Sequence, residues 1–540
     1  MAPHDAAWWQ HHAIYQIYPL SFQDDDGDGR GDLRGIEARL DHLQWLGVGA
    51  VWLGPVFRSP MADFGYDIED HTAIDPVFGS LRDFDRLLQA LHARGLRLIL
   101  DFVPNHTSDR HPWFVESRSS RHSLKRDWYL WADAAPGGGP PNNWLSRFGG
   151  SAWAWDAGSG QYYYHAFLEA QPDLNWRHPA VRAAMADVMR FWLRRGVDGF
   201  RVDAAAVLAE DRCLRDDPPQ DEADTQIPPP ERLQRVYTNY RPEVLDWLAE
   251  LRCACDEFAD RVLLGEVDAS GDRIAHFCGD PERPLLHLPL NYRLLDTPWR
   301  AAPLAAAIEH YLGLLPDHAW PNWVIGSHDK TRIVDRVGPE QARIAALLSC
   351  TLPGSVIVYA GDELGLPGAP IAHEHSRDPF ERRVPGYGLN RDPERAPMPW
   401  QAGHGGGFTS GTPWLPLPPG TDHTSAAAQR DDTTSMLHLY RRLLTLRAQH
   451  PALHSTAYTA LPMEDDTLLA FQRGSAEHPL AVVLNLGASP RHAQLPPQHR
   501  WQVLLSTHLD RDTERLQRTA VLREHEGLVL CPARPADDQR

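Results

Sequence analysis

An α/β chain is predicted here, built on a (β/α)8 barrel with a subdomain inserted after the third strand and an all-β domain at the C-terminus. Three observations lead to it. The 540 residues exceed what one core fills, so two or three domains are expected, one of them a barrel of about 250 residues or more. Apolar, β-prone runs alternate with helical stretches about eight times, the rhythm of parallel strands joined by crossover helices. The runs also end in polar residues, as strands do when the C-terminal rim of a barrel carries a site.

The first strand is expected over residues 13–22. It leads into Asp24-Asp-Asp-Gly-Asp-Gly-Arg-Gly-Asp32, where acids recur at alternate positions. Asp24, Asp26 and Asp28, with Gly29 sixth, follow the first half of a calcium loop, whose alternate oxygens converge on one hard cation. Gly35 stands where the final Glu of such a loop belongs. Asp32 would then supply the last carboxylate and the carbonyl of Arg30 a further ligand. A structural Ca2+ is the expected cofactor, and a solvated acidic turn is the alternative.

A helix over 32–46 should stop at Gly47, ahead of a second strand at 48–56. Ser80 and Asp83 form a capping box, Gly95 closes that helix, and 96–103 is the third strand. Residues 107–172, rich in Trp, Ser and Gly around Pro136-Gly-Gly-Gly-Pro-Pro141, are too long for a loop and are expected to be the inserted subdomain. A helix over 179–195 stops at Gly196 and feeds the fourth strand, 197–203. The remaining strands are expected at 261–267, 284–291, 323–328 and 355–361. A Pro- and Gly-dense irregular stretch fills 366–430. A last helix at 436–450 precedes short alternating runs at 468–472 and 480–484. The expected boundaries are therefore 1–106 and 173–455 for the barrel, 107–172 for the subdomain, and 456–540 for a C-terminal β-sandwich.

Composition excludes some partners. The net charge of −19, from 53 basic and 72 acidic residues, argues against nucleic acid and anionic membranes, which require basic patches. The six cysteines are scattered, without Cys-x-x-Cys pairs, so reduced thiols are expected. No basic leader with an apolar core opens the chain, and no run reaches the roughly 18 apolar residues of a membrane span. A soluble cytoplasmic protein, monomer or homodimer, is expected.

The strand ends carry the chemistry. The third ends in Asp101-Phe-Val-Pro-Asn105-His106, the fourth in Gly199-Phe-Arg-Val-Asp203, the fifth in Gly265-Glu266, and the seventh in Ser327-His328-Asp329. Arg201 and Asp203 are two apart and so share a face of the strand, where the guanidinium should keep the carboxylate ionised as a nucleophile. A structural ion pair is the plain alternative for this segment alone. Carboxylates gathered with histidines and an arginine on one rim suit acetal cleavage, which uses an ionised nucleophile, a protonated acid and groups that grip hydroxyls.

Together with Gln171-Pro-Asp-Leu-Asn175 and Tyr359-Ala-Gly-Asp-Glu-Leu-Gly365, these motifs, spread in order over residues 13–400, resemble the α-amylase superfamily of glycoside hydrolases, nearest its α-glucosidase and oligo-1,6-glucosidase branch. The resemblance implies that Asp203 forms a glucosyl-enzyme, Glu266 is the acid/base and Asp329 stabilises the transition state. It implies that His106, His328 and Arg201 serve the reacting glucose and its nucleophile, with Asp101 a buried partner. Asp63-Phe-Gly-Tyr66 resembles the segment whose Tyr stacks on the sugar and whose Asp pairs with an Arg, here Arg391 or Arg395, to close the pocket. Ser327 departs from the Asn usual at its place.

The implied activity is a retaining, exo-acting α-glucosidase on short α-glucosides, with transglucosylation to alcohols or sugars. The alternatives are a dedicated glucosyltransferase or isomerase, of sucrose-using or trehalose synthase type, and a non-catalytic amylase-like subunit. In the related glucosidases a Val after the nucleophile accompanies α-1,6 preference. Ala204 therefore implies α-1,4.

Overall fold

The computed structural model describes residues 7–220, 227–267 and 271–533; the ends of the first and last expected segments, 1–6 and 534–540, lie outside the described residues. Eight parallel strands form one sheet: β1 (Ile14–Ile17), β2 (Ala50–Leu53), β3 (Arg97–Phe102), β4 (Gly199–Val202), β5 (Val262–Gly265), β6 (Leu288–Pro289), β7 (Asn322–Val324) and β8 (Ser355–Tyr359). Their order is β6-β5-β4-β3-β2-β1-β8-β7. The seam between β6 and β7 is closed largely by side chains, because both strands are too short to sustain a ladder. The buried Asn322 amide donates to the carbonyl of Pro289 (2.6 Å) and accepts from the N–H of Asn291 (2.9 Å).

Period-two alternation separates interior from exterior. Ile14, Ala50, Trp52, Ile99, Leu264, Val324 and Ile357 fill the inside of the barrel, while Tyr15, Val51, Leu98, Leu100, Phe200 and Val202 belong to the cluster packed against the helices. Two residues on from Ile14, Ile99 and Gly199, the inward positions become Gln16, Asp101 and Arg201. Asp101 and Arg201 are register partners across β3 and β4. The apolar interior thus gives way to charge at the C-terminal rim.

Several expected elements differ: the strands expected over 284–291 and 323–328 are only Leu288–Pro289 and Asn322–Val324. The strand over 13–22 ends at Ile17 and a short helix, Pro19–Phe22, follows, because Pro19 has no N–H for a ladder and fits the first turn of a helix. The helix over 32–46 is two helices, Leu33–Ala38 and Leu40–Leu46, broken at Arg39. The Arg39 side chain is drawn across to Gln23 (2.7 Å) and over the Trp400 ring (4.3 Å). The helix Pro179–Arg195 and its left-handed Gly196 (φ 110°) are as expected.

Between β3 and β4 lies a three-stranded antiparallel sheet (Trp131–Ala132, Trp153–Asp156, Gln161–Tyr164). Several of its aromatic residues, Trp144, Trp153 and Tyr164 among them, are the core of this small unit. The C-terminal region is a six-stranded antiparallel sheet with a two-stranded ribbon, Arg491–Gln494 and Thr519–Leu522. Alternate residues of the large sheet face two ways: Leu469, Phe471, Val482 and Leu484 join the barrel's core, and Leu468, Ala470, Ala481 and Val483 meet the ribbon. Arg473 of this sheet and Arg447, both buried, donate to carbonyls at the C-terminal end of the barrel helix Pro339–Thr351, Arg473 to Thr351 and Arg447 to Cys350. The partial negative charge of that helix end offsets the two cations. Among the described residues, no helix is long and apolar enough to cross a membrane.

Candidate active site

Arg201 is the hub of the rim. It is buried, and its guanidinium meets three carboxylates: Nη1 lies 2.7 Å from Asp101 and 2.6 Å from Asp203, and Nη2 lies 2.7 Å from Glu266. Each partner comes from a different strand end, which only the barrel brings together. Asp101 is further tied by Tyr66 Oη (3.2 Å) and Trp52 Nε1 (3.4 Å). Ala204, directly after Asp203, has φ 48° and its N–H points at Glu266 Oε2 (3.3 Å). A left-handed non-glycine residue is a local strain, and here it turns the chain so that the carboxylates of β4 and β5 meet.

A one-to-one pairing of Arg201 with Asp203 was expected; the structure instead divides one cation among three anions. Burial pushes Asp203 well above the usual carboxylate range, Arg201 opposes this, and the charges of Glu266 and Asp101 add to the rise. At Asp203 the guanidinium thus works against burial and against two neighbouring carboxylates. Asp203 is the more enclosed partner, its side chain 11% exposed against 29% for Glu266.

A second network faces the first. His328 lies 2.8 Å from Tyr66 Oη through Nε2 and 2.8 Å from the Gln16 amide through Nδ1, with the Tyr18 ring stacked on it. Burial pushes His328 and His106 each down to about 3, so both act as neutral hydrogen-bonding groups. His106 Nε2 meets the carbonyl of Tyr66 (3.1 Å) and the amide of Gln171 (3.1 Å). Asp329 is half-enclosed between Arg391 (3.3 Å) and Arg395 (2.5 Å). Burial alone would raise it, yet its neighbours hold it well below the usual range. His328, 3.2 Å from the carboxylate, and the two arginines are the groups responsible. Ser327, the departure noted above, accepts the N–H of Asp329 (3.2 Å).

Between the two candidate arginines the geometry decides. Arg391 reaches Asp63 (3.2 Å), while Arg395 binds Asp329 and the carbonyl of His328. Burial pushes Asp63 up to about 6 against the pull of Arg391 and Arg395. Asp378 anchors Arg391 through both nitrogens of its fork (2.7 and 3.0 Å). The sequence reading missed Asp378, Gln16 and Tyr18. Gln16 was legible only from the inward phase of β1, and Asp378 sits in the irregular stretch where no periodicity marks it.

The acidic loop is brought together in part. Ligand atoms of Asp24, Asp26 and Asp28 lie within 4.8 Å of one another, with Asp24 preorganised by the N–H groups of Gly27 (2.7 Å) and Gly29 (2.8 Å). Asp32 lies outside that group. Its carboxylate caps the following helix through Gly35 (2.7 Å) and accepts from Asp25 (2.8 Å). Arg30 contributes its N–H to Asp28 (2.8 Å). An all-oxygen set of three converging carboxylates fits a hard cation.

Residues 16–456 match the α-amylase catalytic domain, and 459–522 match a domain of unknown function. A probable α-glucosidase of Rhizobium meliloti strain 1021 is 42% identical, the match covering 91% of this chain and 92% of that protein. An oligo-1,6-glucosidase of Parageobacillus thermoglucosidasius is 34% identical over 97% and 99%. Among solved structures, an α-glucosyl transfer enzyme superposes with TM-score 0.91 at 39% identity, covering 98% of this chain and 100% of that one. The trehalulose synthase of Pseudomonas mesoacidophila MX-45 does so with 0.90 at 31%, covering 98% and 100%. With its barrel, its rim of carboxylates and these relatives, the chain belongs to the α-amylase family of glycoside hydrolases.

Proposed function

We propose a retaining, exo-acting α-glucosidase that removes one glucose from the non-reducing end of short α-glucosides and passes it to water or to another hydroxyl. The observation that carries this is the Asp203–Glu266 pair on a single guanidinium fork. Two carboxyls held on one fork stand close together, as the pair of a retaining enzyme does, whereas an inverting pair stands about 6.5–9.5 Å apart to admit a water. Glu266, on the open side, protonates the leaving oxygen as Asp203 attacks C1; it then takes the proton of the acceptor that releases Asp203. Asp329, kept ionised, faces the positive charge that develops on the sugar ring. His106, His328 and Tyr66 supply neutral contacts to the sugar. The Asp63–Arg391 pair lies next to Asp329 and closes the pocket after one residue, which gives exo action.

A second reading, a dedicated transferase, is favoured by the 39% identical α-glucosyl transfer enzyme. Product chromatography from maltose, isomaltose and sucrose separates the two: glucose release supports hydrolysis, and larger or isomeric sugars as the main products support transfer. The same assay tests linkage. The methyl of Ala204 beside the two carboxyls leaves the exit open, so maltose should exceed isomaltose in kcat/KM by roughly tenfold to a few hundredfold, the range of about 1–3 kcal/mol for such a contact. An isomaltose preference would overturn it. Ala204→Val should shift the ratio toward isomaltose; because a β-branched residue at φ 48° is itself strained, its melting temperature must be measured alongside.

Asp24, Asp26 and Asp28 would hold Ca2+, whose contribution there is structural, screening like charges on a loop remote from the catalytic pair. Chelation should lower the melting temperature and leave KM for maltose unchanged. An unaltered melting temperature with no metal by elemental analysis would count against the cation.

A further inference from the structure

Apart from the catalytic cluster, a groove of about 410 Å³ lies between the segments that follow β4 and β5. Its walls include Arg235, Arg241, Arg273 and His276, with the rings of Tyr240 and Phe277, and among the described residues no Asp or Glu lines it. In a chain of net charge −19 such a wall is a local inversion of sign, and a concave basic surface focuses anions. The bases differ in what they already bind. Arg235 spends its N–H groups on the carbonyls of Leu145 (3.0 Å) and Pro230 (2.9 Å), and among the described residues neither it nor Arg273 carries an ion pair. Arg241 stands 3.5 Å from an Asp211 already held by Arg215 at 2.6 Å, and its buried Nε has no hydrogen-bond partner. Arg273 lies over the Tyr240 ring (5.0 Å), and that ring meets Phe277 edge-on (6.3 Å).

The groove wall is tied through the backbone to the segments that carry Asp203 and Glu266. Tyr240 N–H binds the carbonyl of Ala206 (2.9 Å), and Ala205 N–H binds the carbonyl of Glu266 (3.0 Å). Two backbone contacts therefore connect the groove wall to the residue that handles the acceptor's proton.

We propose that this groove binds a small aromatic carboxylate bearing a hydroxyl, and that such anions are preferred glucosyl acceptors. The aromatic walls take the ring and the arginines the carboxylate, a charge-assisted and bidentate recognition. This rests on the α-glucosidase reading above. In the transfer step the acceptor hydroxyl oxygen bonds to C1 of the glucosyl-enzyme, the C1–O bond to Asp203 breaks with its electron pair returning to the carboxylate, and the hydroxyl proton passes to Glu266.

The test uses 4-(hydroxymethyl)benzoate and its neutral twin 4-(hydroxymethyl)benzamide on the full chain. Calorimetry should show the benzoate bound at least tenfold tighter, with Arg273→Gln removing the difference and Arg273→Lys keeping part of it. In maltose-driven transfer, the ratio of benzoate to benzamide glucoside should fall in the same order across these proteins. Equal binding of the two probes, or an undiminished preference in Arg273→Gln, overturns the proposal. Maltose hydrolysis, measured separately, reports on the α-glucosidase reading: its absence would sink that reading while calorimetry still decides the groove.

Discussion

Asp203→Asn and Glu266→Gln should each reduce kcat/KM for maltose by roughly 10⁴-fold or more with the fold retained, because one loses the attacking oxyanion and the other the transferable proton. An activated donor separates them. Glucosyl fluoride needs little protonation to leave, so Glu266→Gln should still be glycosylated and accumulate the intermediate, visible as a mass increase of one glucosyl unit. Asp203→Asn should show no such adduct. The contrast follows from the two roles: Glu266→Gln leaves the Asp203 carboxylate able to attack, whereas Asp203→Asn leaves no nucleophile. Wild-type turnover of maltose by either variant would refute the assignment.

The second large effect is expected at Arg201. Arg201→Met removes the cation that bridges Asp101, Asp203 and Glu266 and leaves three carboxylates facing one another. Breaking a buried ion network from one side costs about 3–5 kcal/mol, which denaturant titration should read as a lower midpoint with an unchanged slope. The pH profile gives a second readout with a definite sign. Arg201 pulls the Asp203 pKa down against burial, so its removal raises that carboxyl further. The acidic limb of kcat/KM should move to higher pH, activity being retained only toward the alkaline side. A limb that stays in place would show that Arg201 organises the site sterically and not through its charge.

Much of this site was legible before the fold. Strand ends expose chemistry in a barrel, so Asp101, Arg201, Asp203, Glu266, His328 and Asp329 could be picked from the residues following apolar runs, and Gly196 marked where β4 would begin. Other features were hidden for physical reasons. Whether Arg391 or Arg395 closes the pocket depends on Asp378, whose stretch lacks helical or strand periodicity and is placed only by tertiary contacts. Asp32 could serve as a metal ligand or as a helix cap, since both roles want a short carboxylate at a turn, and the spacing to Gly35 suits either. The kink at Arg39 is a pull from Gln23 and Trp400, which local propensity does not contain.

The hold that Arg473 takes on the carbonyl of Thr351, 122 residues earlier in the chain, bears on how the molecule comes into being. The helix Pro339–Thr351 delivers the chain to β8, the strand that pairs with both β1 and β7. Its last turn is finished by a side chain from the C-terminal sheet, and a ribosome translates that residue only after every barrel strand is out. Barrel and C-terminal sheet are therefore expected to unfold in one transition, and calorimetry that resolves two would show that the boundary between them is real to the folding chain.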